Sequence, residues 1–536
     1  MWTWMALTLR PPRGGRQEPC ARVPGWARMR AVEDRPRESE LIAEDERTLR
    51  SLGYRQELLR RMGGFSNYAI SLSIICILAG GVTSFHQGLS SVGGAAIGLG
   101  WPLVCLFSLA VAATMGQVAS SFPTAGGLYH WASILGGKGW GWTTAWLNLL
   151  GLVAALAAID LGALRFTLDS VGPAVGLDTA RWSATTTTVV AIVGVLAMTA
   201  SQALVNHLGI RLTTRLTDFS GYWILGVSLL LAAGMLAFAP ALHPGRLVRF
   251  VNYSGARGGD VWPETSSLAL LFALSFLLPA YTLTGFDASA NTAEETVGAA
   301  VRVPRAIVQA VAVSGLAGWA MLCAVVAAIP DLDRAAALGP SAFTWAVGAV
   351  LPRPLAYALL AAIALAQYLC GLAAVTSASR IVYAFARDGG MPASAALRRV
   401  SERYRTPTLA IWSVALAAAL STVYTPVYET MAAVAAILLY ISYVLPTALG
   451  LAAYGRRWTA MGPWDLGRWY RPLAAVSVAG CLALIAIGMH PPNEKSVWIV
   501  GGLLLALAAA WFAVVKERFQ GPPEALLLRA GAGTPD

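Results

Sequence analysis

Along most of the chain the apolar residues form long runs, and the polar residues collect in short stretches between them. Each run is about 20 residues long, enough to cross a hydrocarbon core of about 30 Å as an α-helix. The pattern predicts about twelve spans, over residues 67–92, 99–119, 140–165, 184–205, 219–240, 265–289, 306–329, 354–385, 408–425, 429–453, 472–489 and 496–515. Ahead of them, Glu38 to Arg61 mixes acids and bases with Leu41, Leu49, Leu52, Leu58 and Leu59, the pattern of an amphipathic segment lying on a membrane surface. The Arg/Pro-rich stretch to Arg30 has no periodicity and is expected to be disordered, with Met29 as a second candidate start.

Composition sharpens this picture. Of the 536 residues 57% are hydrophobic and only 12% charged, with a mean hydropathy of +0.60, against roughly 25% charged residues in ordinary globular domains. A soluble enzyme and a secreted disulfide scaffold are excluded. The net charge of +11 reflects topology rather than nucleic-acid binding, because the arginines sit in short loops and the N-terminal tail. One set of alternate loops holds Lys138, then Arg211 and Arg215, Arg302 and Arg305, the run from Arg387 to Arg405, and Arg456 to Arg471. The positive-inside rule makes that set cytoplasmic and places both termini inside. Cys20, Cys76, Cys105, Cys323, Cys370 and Cys481 stand singly and predict neither a metal site nor disulfides. No G-x-x-x-x-G-K-[ST] motif or other cofactor signature appears, so the energy for any transport must come from gradients.

Two spans contain residues that break helices. The first reads SLSIICILAGGVTSFHQGLSSVGG, with Gly80 and Gly81 at mid-membrane and Thr83, Ser84, His86 and Gln87 after them. Each glycine weakens a helix by about 1 kcal/mol. The pair marks either an unwound segment or close packing against a neighbouring helix. The sixth reads PAYTLTGFDASANTAEET, in which Pro279 removes a hydrogen bond, Gly285 relaxes the next turn and Asp287 brings a carboxylate to depth. An ionised Asp there costs about 2.5 to 3.5 kcal/mol, so it should face the bundle interior or water. Breaks in the first and sixth helices, corresponding members of two five-helix halves, are what an inverted-repeat transporter with a midplane site displays.

The stretch AYTLTGFDASANTAEETVGAAVRVPRAIV resembles the amino acid/choline transporter branch of the amino acid–polyamine–organocation superfamily. So do residues 120–148 (SSFPTAGGLYHWASILGGKGWGWTTAWLN), 376–392 (TSASRIVYAFARDGGMP) and 441–450 (ISYVLPTALG), and the run LGYRQELLRRMGGFSNYAISLSII is similar to that branch's opening. The resemblance covers about residues 50–515. It implies an all-α polytopic membrane protein with a LeuT-like core of five plus five inverted helices, helices 1 and 6 broken, and two further C-terminal helices. The corresponding division is a tail over 1–66, a first repeat over 67–240, a second over 241–453, two spans within 454–515 and a cytoplasmic tail over 516–536.

Carried over residue by residue, the resemblance puts Ala79, Gly80 and Gly81 in an unwound triplet whose N–H groups receive a substrate carboxylate. It makes Tyr281 an aromatic gate and gives the carbonyls around Leu283, Thr284 and Gly285 to the substrate's ammonium group. Asp287 becomes a titratable neighbour and a candidate for proton coupling. Two departures bear on substrate and coupling: Ala79 stands where many members have Gly, and Asn291 where relatives often have His. The fifth span lacks the lysine that carries protons in some relatives, and Thr376, Ser377 and Ser379 could supply oxygens to sodium or simply bond between helices.

Other residues read more plainly. The Arg380, Arg387, Asp388 run is either an intracellular gate or a structural turn, and Glu294 and Glu295 should pair with arginines on the cytoplasmic side. Pro123, Gly126 and Gly127 should shape a short interfacial helix, Asp160 and Arg165 should reach the outer interface, and His130 should lie toward a span end. Together these features predict a multi-pass permease of the plasma membrane. Its partners are the bilayer and a small amino acid or amine such as GABA, moved by alternating access with proton coupling or exchange. The alternative is a nutrient sensor of the same fold.

Overall fold

The computed structural model describes residues 38–424 and 428–528; the stretch to Arg30 and the Met29 start lie outside them. The described chain is helical, with isolated bridges and no strand among the described residues. Nine of its helices are long and apolar enough to cross a membrane. They are the second span, Ala96–Ser121, the third, Lys138–Ser170, the fourth, Ala184–His207, the fifth, Ile210–Phe238, the seventh, Ala299–Ala328, the eighth, Arg353–Arg387, the tenth, Tyr428–Ala453, the eleventh, Gly467–Gly488, and the twelfth, Glu494–Arg518. A shorter ninth span, Thr408–Tyr424, and two interrupted ones complete the set.

The first span runs as Gly64–Ile74, unwinds, and resumes as Gly80–Thr83 and Phe85–Val92. The sixth runs as Leu268–Ser275 and Leu277–Thr282, unwinds, and resumes as Ala288–Asn291. One interrupted span followed by four continuous ones therefore occurs twice, over 64–238 and 268–453, and the last two spans follow.

Hydropathy marks the bilayer, and several helices run past it. Arg211, Arg215, Arg302, Arg305 and Arg387, expected in loops, lie within the fifth, seventh and eighth helices. Helical hydrogen bonding needs no apolar side chain once the helix leaves the lipid, and arginine stems can lie along it with their heads in water. The interior is built around the third and tenth spans, each with 78% of its apolar window buried, whereas the twelfth has 11%. Leu229, Leu505, Phe512 and Trp498 are exposed on outer helices, the surface a lipid-facing helix presents.

Two short segments add contacts that the pattern did not reveal. The helix Glu38–Ser51 is tied to the bundle: Asp45 accepts from the N–H groups of Gly298 (2.6 Å) and Ala299 (3.2 Å) at the start of the seventh span. A carboxylate at a helix start meets orphan N–H donors and the positive end of the dipole, a stronger anchor than an amphipathic face. The helix Gly127–Gly136 forms between the second and third spans as the Pro/Gly pattern implied, and residues 127–135 are all buried against protein.

Candidate functional site

The two interruptions touch. Gly285 has φ +88°, and a Cβ there would stand 2.3 Å from Ile74 Cγ2, the last helical residue before the first break. A Cβ on Gly80 would stand 2.8 Å from the Thr282 Cα. Both glycines let backbone approach backbone, and at Gly285 the left-handed φ independently favours glycine. Gly80 thus serves close packing as well as the break.

The sequence reading unwound Ala79, Gly80 and Gly81. In the structure the unwound residues are 75–79, and Gly80 and Gly81 open the next half-helix with Ala79 as its N-cap. The unwinding sits earlier because its backbone groups find partners on the eighth span: Gln367 Nε2 donates to the Leu78 carbonyl at 3.0 Å, and Cys370 Sγ lies 3.4 Å from the Ile74 carbonyl. Backbone freed at membrane depth is tolerated where protein meets it. The N–H groups of Gly81 and Val82 have no backbone acceptor among the described residues, as expected of a helix start.

In the sixth span, Pro279 crowds the carbonyl four residues back and the helix is interrupted at Phe276. Beyond Thr282 the backbone turns at Gly285, whose N–H donates to the Tyr443 hydroxyl at 3.0 Å and whose carbonyl accepts from Ala288 at 3.2 Å. The Leu283 and Thr284 carbonyls have no donor among the described residues.

Between the breaks lies a cavity of about 30 Å³, room for only one or two waters. Ala79, Gly80 and Thr83 line it from the first span, Tyr281, Thr284 and Gly285 from the sixth. Leu152, Ala155 and Ile159 close it from the third, Gln367 and Cys370 from the eighth, and Tyr428 and Leu439 from the tenth. No lining side chain is an Asp, Glu, Lys or Arg. Of the residues singled out from sequence, Gly81 and Leu283 fall outside this lining. Gly81 faces Trp101 and Leu322 at ordinary contact distance, and the Leu283 side chain is buried in the core.

Asp287 also lies outside the cavity, in a polar cluster that is fully buried. Its Oδ1 accepts from the Tyr443 hydroxyl at 2.8 Å, and its Oδ2 from Asn148 Nδ2 at 3.1 Å and Asn291 Nδ2 at 3.3 Å. Asn291 donates onward to Ser377 Oγ at 2.9 Å, so the residue that departs from the family pattern ties the sixth span to the eighth. Thr376 donates to Asn206 Oδ1 at 2.7 Å and Ser379 to the Thr376 carbonyl at 2.9 Å, which commits those hydroxyls to interhelical and local bonds.

The two sides of the cavity differ in thickness. On the side away from the N-terminal segment a second cavity of about 190 Å³ is lined by His86, Arg165, Asp169, Phe343 and Glu429. Thr83 and Tyr428 line both cavities. The Tyr428 hydroxyl lies 2.7 Å from Thr83 Oγ1 and 3.0 Å from Ser84 Oγ, and its ring meets Tyr281 edge-on at 6.2 Å. One aromatic layer separates vestibule from site.

Toward the N-terminal segment the closure is several layers deep. Arg380 makes a two-pronged bond to Glu295 (2.9 Å each) with both side chains fully buried, and Arg387 does the same to Glu294 at 3.0 and 2.9 Å. Burial works to raise the Glu294 carboxyl, but the Arg387 guanidinium and the Ala125 N–H outweigh it and hold the group below its ordinary range. Further out, Asp388 Oδ2 accepts from Tyr54 (2.8 Å) and Tyr129 (3.0 Å) and lies 3.0 Å from His130 Nε2. His130, between the second and third spans as expected, is fully buried, with Thr124 and Asp388 holding its two ring nitrogens. Arg60 then caps the Ala293 and Thr296 carbonyls, and Met62 pairs with Glu295 and Val297.

Tyr428, Gln367, Asn148 and Tyr443 were not singled out from sequence. Tyr443 lies within the ISYVLPTALG stretch and Asn148 ends the 120–148 motif, so position within a motif was the available signal. Gln367 is a polar residue in an apolar run and Tyr428 falls in the short gap between the predicted ninth and tenth spans, and neither gives a local sign of its partners.

The chain matches the family model described as "Amino acid permease" over residues 62–513. It is 31% identical to the amino-acid permease BAT1 of Arabidopsis thaliana over 510 residues, 88% of this chain and 95% of that protein. It is 32% identical to the BAT1 homolog of Oryza sativa subsp. japonica (88% and 94%) and 27% identical to the GABA-specific permease of Saccharomyces cerevisiae (89% and 86%).

Proposed function

Because the chain belongs to the amino acid permease family, whose members are membrane transporters and not enzymes, we propose that it carries neutral amino acids or GABA by alternating access around the cavity between the two broken spans. The observation that carries this reading is a cavity between the two breaks with no charged side chain in its lining, next to N–H groups of Gly81 and Val82 and carbonyls of Leu283 and Thr284 that have no backbone partner among the described residues. A zwitterion fits it once the cavity widens: the carboxylate meets the N–H groups of Gly81 and Val82 at a half-helix start, and the ammonium meets the Leu283 and Thr284 carbonyls. Tyr281 and Tyr428 cover the substrate from the vestibule. A polyamine would bring two or more cations to a site without a carboxylate, and choline would leave the N–H groups unused.

The contracted cavity, with one layer above and several below, describes a closed state nearer to opening on the vestibule side. The arginine-rich face reads as cytoplasmic, which puts the vestibule on the opposite side of the membrane. Asp287 accepts from three side-chain donors and holds the unwound turn of the sixth span in shape.

The test is uptake by purified protein in liposomes loaded with unlabelled substrate, using labelled GABA, alanine, arginine, putrescine and choline. Alanine or GABA should be carried and putrescine and choline should not. Equal flux of putrescine would overturn the zwitterion site, and binding without flux of any compound would make the protein a sensor.

A further inference from the structure

A second buried carboxylate has no part in the site described so far. Asp160, in the third span, was expected at the outer interface, but it is fully buried. It lies beside Gly371, at the middle of the eighth span. Its Oδ1 accepts a single hydrogen bond, 2.8 Å from Gln202 Nε2 on the fourth span. Gln202 Nε2 also donates to the Tyr368 carbonyl at 3.2 Å. That leaves two bare acceptors in one buried cluster: Asp160 Oδ2 and Gln202 Oε1 have no hydrogen-bond partner among the described residues. The packing is tight enough that a Cβ on Gly371 would stand 2.3 Å from Gln202 Nε2 and 2.5 Å from Asp160 Oδ1. Three spans thus close around the pair only because the eighth has a glycine there.

No cation answers this carboxylate: among the described residues it makes no ion pair. From the eighth span the Cys370 thiol lies within electrostatic reach of it, and Cys370 in turn contacts Cys76 of the first span. The fourth span offers only the Gln202 amide. From the tenth span Tyr428 packs against Gly162 and Glu429 lines the vestibule with Arg165 and Asp169, on the stretch of the third span beyond Asp160. The contrast with Asp287 is physical. Asp287 has three donors on its two oxygens, whereas Asp160 has one donor on one oxygen and an acceptor-rich neighbour. A buried acceptor left bare costs about 1 to 3 kcal/mol, and a carboxylic acid O–H supplies the donor this cluster lacks.

We propose that Asp160 is a proton-binding site that couples transport to a proton gradient. The proton resides on Oδ2 in the closed state. It is taken from water on one face and released to water on the other as the eighth span shifts against the third. The site adjoins the substrate cavity on both spans, since Ile159 and Cys370, the chain neighbours of Asp160 and Gly371, line it. Widening the cavity to admit an amino acid moves those walls and brings water to the pair. This rests on the transport reading above and adds the coupling ion and the group that carries it.

The experiment compares the wild-type chain with Asp160→Asn, which keeps the shape and removes the titration, in liposomes with labelled alanine and GABA. In counterflow against internal unlabelled substrate both proteins should perform alike, which also shows that the variant is folded. With an inward proton gradient and no internal substrate, the wild type should accumulate substrate and acidify the lumen, and the variant should lose both. A variant that still accumulates substrate with proton uptake, or a wild type indifferent to the gradient, would overturn the proposal while leaving the transport reading intact. Absence of counterflow in the wild type would strike the transport reading instead. Infrared spectroscopy at neutral pH is independent of transport: a carboxylic acid C=O band present in the wild type and absent in Asp160→Asn is expected, and identical spectra would overturn the proposal by themselves.

Discussion

At Gly285 two constraints meet, a left-handed φ and a neighbour that leaves no room for a side chain. Gly285→Ala should therefore lose substrate uptake and unfold at clearly lower temperature, since strained backbone alone costs about 1 to 3 kcal/mol before Ile74 is displaced. Gly81→Ala meets only ordinary contacts and should stay near wild type in thermal unfolding; a large loss there would mean that the half-helix start is tighter than described. The Glu294 and Arg387 pair gives a prediction with a pH sign. Glu294 is held below its ordinary value of 4.5, so its stabilisation is complete above that pH and fades as pH falls through the lower folded value. Thiol labelling from the N-terminal face, expressed at each pH relative to free cysteine to remove the change in thiolate fraction, should rise in acid in the wild type. Glu294→Gln, which breaks a buried pair at about 3 to 5 kcal/mol, should label fast at every pH. A wild-type profile flat below pH 4.5 would remove this pair from the closure. Sequence made Glu294 and Glu295 legible as partners of arginine, because buried acids in that setting need cations, but it could not say which arginine each would take.

The interrupted helices were legible as elements, because Gly, Pro and Asp inside an apolar run contradict a plain span. Where the first one unwinds was not legible. Glycines favour interruption anywhere near them, and the choice of residues 75–79 is made by Gln367 and Cys370 on another helix. Asp160 misled for the same reason, since its place is fixed by Gln202 and by the missing side chain at Gly371. The tenth span carries its own prediction through Tyr428. Tyr428→Phe removes the hydroxyl that bridges Thr83 and Ser84, worth about 0.5 to 1.5 kcal/mol. Small thiol reagents added from the vestibule side should then reach Cys76 and Cys370 roughly 2- to 10-fold faster. Unchanged labelling would place the barrier elsewhere.

For the whole molecule, the order of spans and their number could be read from hydropathy, while the docking of the N-terminal helix could not. Its amphipathic pattern fits lipid and protein equally, and the decision lies with Asp45 and the start of the seventh span. Removing residues 38–51 should leave the spans folded but raise labelling from that face, and protection equal to wild type would show that Arg60 and Tyr54 close it unaided. The partner of Leu78 has a further consequence, for how the chain is made. Gln367 lies 289 residues downstream, so at about 5 to 20 residues per second of synthesis the Leu78 carbonyl waits roughly 15 to 60 s for its donor. Through that interval the first span is a defective membrane helix, and the insertion machinery or lipid-headgroup water must shelter it until the eighth span arrives.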